Sequence, residues 1–261
     1  MARLRLQTRA VTSRLSDAVE AYVKGLISSL IPVQLAEAAA STTFQFSNQC
    51  SNSVWVGTLS GSGKPQLAET GFELSRGSSS SLDAPAAWSG RFWGRTFCST
   101  DCSGRFSCLT GDCNTGRVTC DGSGGAPPAT LIEITLGGTN DFYDVSLVDG
   151  YNLEVAIAPV GGSGDCRKAG CQSDLNGKCP SELAVKGPDG SVVACKSACE
   201  AFGSPIYCCT GQYGSPTTCG PTGYSRLFKR ACPMAYSYAY DDQTSTFTCN
   251  GPTAYTITFC P

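Results

Sequence analysis

The chain contains no histidine, and that single absence removes a wide range of chemistry. Ser-His-Asp and Cys-His nucleophile systems, HExxH zinc sites and imidazole general bases all need a residue that is not there. Acid–base work therefore falls to carboxylates, lysine, tyrosine or cysteine. Charge is also scarce, since only 15% of residues are Asp, Glu, Lys or Arg and the net charge is −2. No basic field is available to hold a nucleic-acid backbone, so no nucleic-acid partner is expected. No apolar run approaches the ~18 residues that a membrane helix needs. No Asn-x-Ser/Thr sequon occurs, so N-glycosylation is not expected. The stretch Gly61-Ser62-Gly63-Lys64-Pro65 superficially suggests a phosphate loop, but Pro65 stands where Ser or Thr is required and Thr58 where the first glycine belongs. It reads as a hairpin turn, and no cofactor is expected.

What the chain does have is turn formers and cysteine. Thirty glycines, 14 prolines and 41% apolar residues describe many short strands around a real core rather than long helices. The 17 cysteines all lie beyond residue 49, and such a density implies an oxidising compartment and a disulfide framework. Zinc is the competing use of clustered cysteine. No CxxC pair and no histidine is present to build a finger or ribbon, so no metal is expected. The odd count leaves at least one cysteine without a partner inside the chain.

Residues 1–40 differ in kind from the rest. They hold Arg3, Arg5, Arg9 and Arg14, no cysteine, and a short apolar stretch from Leu26 to Val33 that ends in Ala38-Ala39-Ala40. This reads as a secretion signal of irregular form, because Asp17, Glu20 and Lys24 interrupt it and Pro32 breaks its apolar core. The mature part from Ser41 onward is then more acidic than the whole chain, and it is expected outside the cell.

Strict apolar–polar alternation marks half-buried strands at Thr42–Phe46, Val54–Val56, Arg91–Trp93, Leu131–Leu136, Tyr143–Leu147, Leu153–Ile157 and Tyr255–Phe259. Asp149-Gly150 lies between two of them and is a type I′ hairpin signal. In the fourth segment Ile132, Ile134 and Leu136 share one face, which sends Glu133 to the other. In the fifth, Tyr143, Val145 and Leu147 form the apolar face, so Asp144 and Ser146 point away from it. If these two strands pair, Glu133 and Asp144 share one exposed surface. Between Cys166 and Cys232 the alternation breaks into Gly- and Pro-rich loops expected to be stapled by bridges, with one short helix around Ser197–Phe202. Trp55, Trp88, Trp93 and Tyr143 could stack on sugars, although aromatics at alternating spacing more often fill cores.

The run Gly104-Arg105-Phe106-Ser107-Cys108-Leu109-Thr110-Gly111-Asp112-Cys113 resembles the signature of the thaumatin-like, pathogenesis-related group 5 proteins. The resemblance continues through Trp88–Thr96, Phe142–Gly150, Cys208-Cys209, Cys232–Tyr238 and the closing Phe259-Cys260-Pro261. It implies a mainly β fold over 41–261: a flattened antiparallel β-sandwich (41–165 and 233–261), a disulfide-rich loop region (166–232) and a small hairpin domain. The family's bridge order implies Cys50–Cys260, Cys98–Cys108, Cys113–Cys120, Cys166–Cys249, Cys171–Cys232, Cys179–Cys195, Cys199–Cys208 and Cys209–Cys219, leaving Cys102 unpaired. The first of these closes nearly the whole mature chain, for which the chain-entropy model gives on the order of 4 to 5 kcal/mol.

The resemblance also implies an acidic cleft with one arginine and four carboxylates. The matching residues are Arg91, Glu133, Asp144, Asp149 and one of Asp241-Asp242, with Asp241 preferred. Paired carboxylates suit a glycoside, because one can stay protonated as acid while its neighbour is ionised. On this reading Glu133 is the acid, Asp144 or Asp149 the nucleophile or base, and Arg91 the group that holds the cluster together. The implied partner is β-1,3-glucan or another fungal cell-wall polysaccharide. The implied role is that of a monomeric, apoplastic plant defence protein, antifungal by glucan binding or by weak endo-glucanase activity. The alternatives are a non-catalytic protein acting at a target membrane surface, or a structural or sweet-tasting relative.

Overall fold

A computed structural model describes residues 41–261. The expected signal segment lies outside the described residues. Among the described residues fourteen strands form three sheets. One has five strands in the order β10 (Ala169–Cys171), β9 (Val155–Val160), β14 (Ala254–Phe259), β1 (Ser41–Asn48) and β4 (Ser79–Pro85). The larger sheet runs β13 (Phe247–Cys249), β8 (Asp141–Ser146), β7 (Leu131–Thr135), β5 (Ser89–Thr100), β2 (Val54–Ser60) and β3 (Gly71–Leu74), with β6 (Phe106–Thr110) paired to the far end of β5. A two-stranded ribbon, β11 (Ala184–Lys186) and β12 (Val192–Cys195), stands apart.

The alternating residues explain why the two large sheets meet. Phe44 and Phe46 of β1, Phe92 of β5, Ile132 and Ile134 of β7, Val145 of β8 and Ile257 of β14 are all buried in one continuous core. Removing this apolar surface from water is the main drive to fold. Aromatic rings fill its centre, with Phe44 4.8 Å and Phe46 5.3 Å from Phe92. The sheets are antiparallel except at β1 and β14, which pair in parallel. The first and last described strands thus lie side by side, and Cys50–Cys260 joins the chain just beyond them.

All eight bridges implied by the resemblance are present, and Cys102 is free and exposed. Between 166 and 232 the chain is not all loop. Ala169–Cys171 adds an edge strand to the five-stranded sheet, and short helices α1 (Ala198–Phe202) and α2 (Pro205–Cys208) precede a longer one, α3 (Gly223–Ala231). The expected helix at 197–202 forms because the Ser197 hydroxyl accepts from the Glu200 amide, capping the first turn. Helix α3 escaped the sequence reading. Its signal was Thr222 followed by Ser225, whose hydroxyls cap each other's backbone amides, with Lys229 and Arg230 at the far end.

The expected type I′ hairpin at Asp149-Gly150 does not form. β8 belongs to the larger sheet and β9 to the smaller, so the chain turns a corner from one sheet to the other here. Gly150 has φ +91°, but Asp149 is not in the left-handed region that type I′ requires of both central residues. The Gly150 amide instead donates to the Leu147 carbonyl at 3.0 Å. A Cβ on Gly150 would lie 2.6 Å from Pro128, so the corner has no room for a side chain.

Candidate functional site

Strand register decides the site. Arg91 of β5 stands opposite Glu133 of β7, and Glu133 stands opposite Asp144 of β8. Three adjacent strands therefore carry one transverse row of arginine, glutamate and aspartate, directly opposed residues being the closest pairs in a sheet. Two residues along, the same face carries Trp93 opposite Leu131. There it is covered: Trp93 is fully buried, donates from its indole to the Gly111 carbonyl at 2.8 Å, and packs on the Cys113–Cys120 bridge. The row at Arg91, Glu133 and Asp144 lies beyond this cover and borders a groove of about 240 Å3. Phe142, 49% exposed, and Leu59 add apolar surface to it.

Burial and like charge act together on the two carboxyls. Desolvation raises the Glu133 pKa above its ordinary value; the Arg91 charge pulls it down and the Asp149 charge pushes it up. Asp144 is pushed up to about 8, first by desolvation and then by the charges of Glu133 and Asp242. One Asp144 oxygen, Oδ1, is buried without a hydrogen-bond partner. An ionised carboxylate would suffer most from that burial, so the surroundings of Asp144 favour its protonated form. The row thus sets a carboxyl whose protonated form burial favours beside one that Arg91 helps to ionise.

Asp149 sits half-buried at the corner after β8, where its charge reaches Glu133. Asp241 is held by partners of its own. Its Oδ2 accepts from the Ser237 amide (3.0 Å) and hydroxyl (2.8 Å) and pairs with Lys229 at 3.0 Å. Lys229 also donates to the Ala235 carbonyl and the Ser245 hydroxyl, which makes this a tie between α3 and the 235–245 segment. Asp242, at the start of helix α4 (Asp242–Ser245), is exposed and is the member of the pair whose charge reaches Asp144. Asp241, preferred from the sequence, is held in the tie to Lys229, and the charge of Asp242 is the one that acts on Asp144. Tyr236, beside the row, was not singled out by sequence. Its amide donates to the Val145 carbonyl and its hydroxyl to Asp242 at 2.8 Å, and burial, then Asp242 and Asp144, raise its pKa. Of the stacking candidates, Trp88, Trp93 and Tyr143 are core, and only Trp55 is half-buried.

Comparison with known proteins matches residues 48–261 to the model of the thaumatin family. The chain belongs to that family. It is 58% identical over 236 residues to thaumatin-like protein 1 of Pyrus pyrifolia, covering 89% of this chain and 97% of the relative. It is also 58% identical over 225 residues to a Prunus avium protein named glucan endo-1,3-beta-glucosidase, covering 85% of this chain and 92% of the other. Pathogenesis-related protein 5 of Arabidopsis thaliana is 59% identical over 226 residues, 86% of this chain and 92% of that one. Among solved structures, a laminaripentaose-producing β-1,3-glucanase in complex with laminaritetraose shares the fold at a TM-score of 0.55 and 12% identity, covering 85% of this chain and 99% of that one. This thaumatin-family chain therefore has pathogenesis-related relatives and a mainly β fold stapled by eight disulfides.

Proposed function

We propose that the chain is a secreted antifungal defence protein whose Arg91–Glu133–Asp144 groove binds β-1,3-glucan. The observation that carries this reading is the register row, with Asp144 directly opposite Glu133 and the exposed ring of Phe142 alongside. Sugars present hydroxyls that such carboxyls can bond and ring faces that an aromatic side chain can cover. The name of the Prunus avium relative supports the substrate class. The eight bridges support an extracellular, apoplastic destination.

Within this proposal Asp144, rather than Glu133, takes the part of the acid. Asp144 holds the proton that a leaving glycosidic oxygen would take, and Glu133, beside Arg91, is the carboxylate placed to attack the anomeric carbon or to activate water. Asp149 and Asp242 tune these two by charge rather than by contact with the scissile bond. A second reading, binding without turnover, is favoured by the size of the groove. About 240 Å3 is below the 300–1,000 Å3 typical of sites that enclose a ligand, which suits contact with a polysaccharide surface.

The test is reducing-end release from insoluble β-1,3-glucan, with retention on the pellet, for oxidatively folded 41–261 and its Asp144→Asn and Glu133→Gln variants. Release lost in both variants establishes a glycosidase. Retention without release, lost in the variants, establishes a binding protein. Absence of both from the folded wild type overturns the reading.

A further inference from the structure

Trp55 takes no part in the carboxylate row, and it is the one sugar-stacking candidate that the core does not absorb. Val54 and Val56 on either side of it are buried in the core between the sheets. Alternation therefore turns Trp55 to the other face of β2, opposite Arg95 of β5. There it borders a cavity of about 540 Å3 that shares no lining residue with the acidic groove. Phe97 of β5, Ser51, Asn52 and Asn176 line the same cavity, and no charged residue does. Val192 and Val193 of β12 line it too, which sets it between the larger sheet and the two-stranded ribbon. The volume lies within the roughly 300–1,000 Å3 typical of small-ligand sites.

Phe97 is 55% exposed and has φ +53°, a left-handed backbone conformation that a bulky residue seldom takes and glycine takes freely. Neither core packing nor backbone preference accounts for a phenyl ring at this position. Asn176 donates from Nδ2 to the Asn152 and Val193 carbonyls at 3.0 and 3.2 Å, which fixes its amide and leaves Oδ1 buried without a partner. Such an acceptor has lost its water and gains a bond only when a donor reaches it. The aromatic wall is held in place. Trp55 lies 6.0 Å from the buried ring of Phe106, over which the Arg95 guanidinium stands at 5.4 Å. The Asn48 side chain donates to the Asn52 carbonyl at 2.9 Å, and the lining residues Cys50, Cys98 and Cys260 are all bridged. Ordering these groups on binding therefore costs little.

We propose that the Trp55–Phe97 cavity is a carbohydrate-binding site of its own, taking a neutral pyranose oligosaccharide independently of the acidic groove. Aromatic faces beside amide and hydroxyl groups call for a ligand with both apolar faces and hydrogen-bonding edges, and a pyranose ring has both. A wholly apolar ligand would strip water from Ser51 and Asn52 without replacing its hydrogen bonds. An anionic sugar would find no cation in the lining to offset its desolvation. The site stands whether or not the groove binds glucan.

The test titrates the folded, disulfide-bonded protein with hexasaccharides of β-1,3-linked glucose, β-1,4-linked glucose and β-1,4-linked xylose, and with a galacturonic acid hexasaccharide as the charged control. Trp88 and Trp93 are fully buried, so a change in tryptophan emission reports Trp55. At least one neutral hexasaccharide is expected to shift that emission and the amide resonances of Asn52 and Phe97, and the galacturonate is not. Phe97→Gly keeps the fold, because glycine suits that φ, and weakens binding about tenfold as read from the Asn52 resonance, the scale of removing an aromatic anchor. Trp55→Ala abolishes the emission change and weakens binding by the same measure. Unmoved emission and resonances with all of the neutral sugars at millimolar concentration overturn the proposal. Unchanged affinity in Phe97→Gly, or tighter binding of the galacturonate, overturns it as well. The groove reading survives each of these outcomes, because none of the probes lies on the groove.

Discussion

Asp144 and Glu133 face each other across the β7–β8 ladder, and Arg91 faces Glu133 across the next. Two carboxyls so placed share the cost of burial and repel each other when both are ionised. The row separates them by position: the Arg91 charge lowers the Glu133 pKa against its burial, while burial and the charges of Glu133 and Asp242 raise that of Asp144.

A raised carboxyl pKa in the folded state means that the native protein binds more protons than the unfolded chain between the two values. Stability from Asp144 is therefore full below the ordinary aspartate pKa and is lost as pH rises toward about 8. Asp144→Asn removes that slope. We expect the variant to be more stable than wild type at pH 8, on the order of 1 to 3 kcal/mol, and the gap to shrink toward pH 4, as read by urea denaturation across pH.

Arg91→Ala removes the one charge that lowers the Glu133 pKa. Carbon-13 titration of the Glu133 carboxyl should move upward in this variant. No movement would mean that Arg91 acts on the groove by contact with ligand only.

Asp241 and Asp242 should separate cleanly. Asp241→Asn leaves Lys229 with a neutral partner in a mostly buried tie, and should cost roughly 1 to 3 kcal/mol of stability with little effect on Asp144. Asp242→Asn should lower the Asp144 pKa and leave the melting temperature nearly unchanged. Paired thermal melts and Asp144 titrations distinguish the two.

Cys102 should give one thiol per folded monomer in a non-denaturing thiol assay, or a dimer that reductant dissolves. Cys102→Ser should abolish both and stay within about 0.5 kcal/mol of wild type, as an exposed substitution away from packed structure. Non-reducing mass spectrometry with every cysteine bridged inside a monomer would contradict this.

Local periodicity was enough to sort each strand's residues into two faces, because in a strand the side-chain direction follows from position alone. It therefore placed Ile132 and Ile134 inside and Glu133 outside, and Tyr143 and Val145 inside with Asp144 away from them, as observed. The same local logic failed at Asp149-Gly150. A two-residue turn signal says that the chain reverses, not which strand comes next to pair, and here the next strand joined the other sheet.

Composition and alternation alone determined a disulfide-stapled β protein without imidazole chemistry, and the signature run carried the bridge order. Only the tertiary structure decided that Asp144 and Glu133 oppose each other beside Arg91, and that the charge of Asp242 acts on Asp144. Those outcomes depend on desolvation and on distances between groups far apart in sequence: Arg91 to Glu133, Asp144 to Asp242, Lys229 to Asp241. They depend on how the strands register and on what covers them, and neither is a property of any single segment.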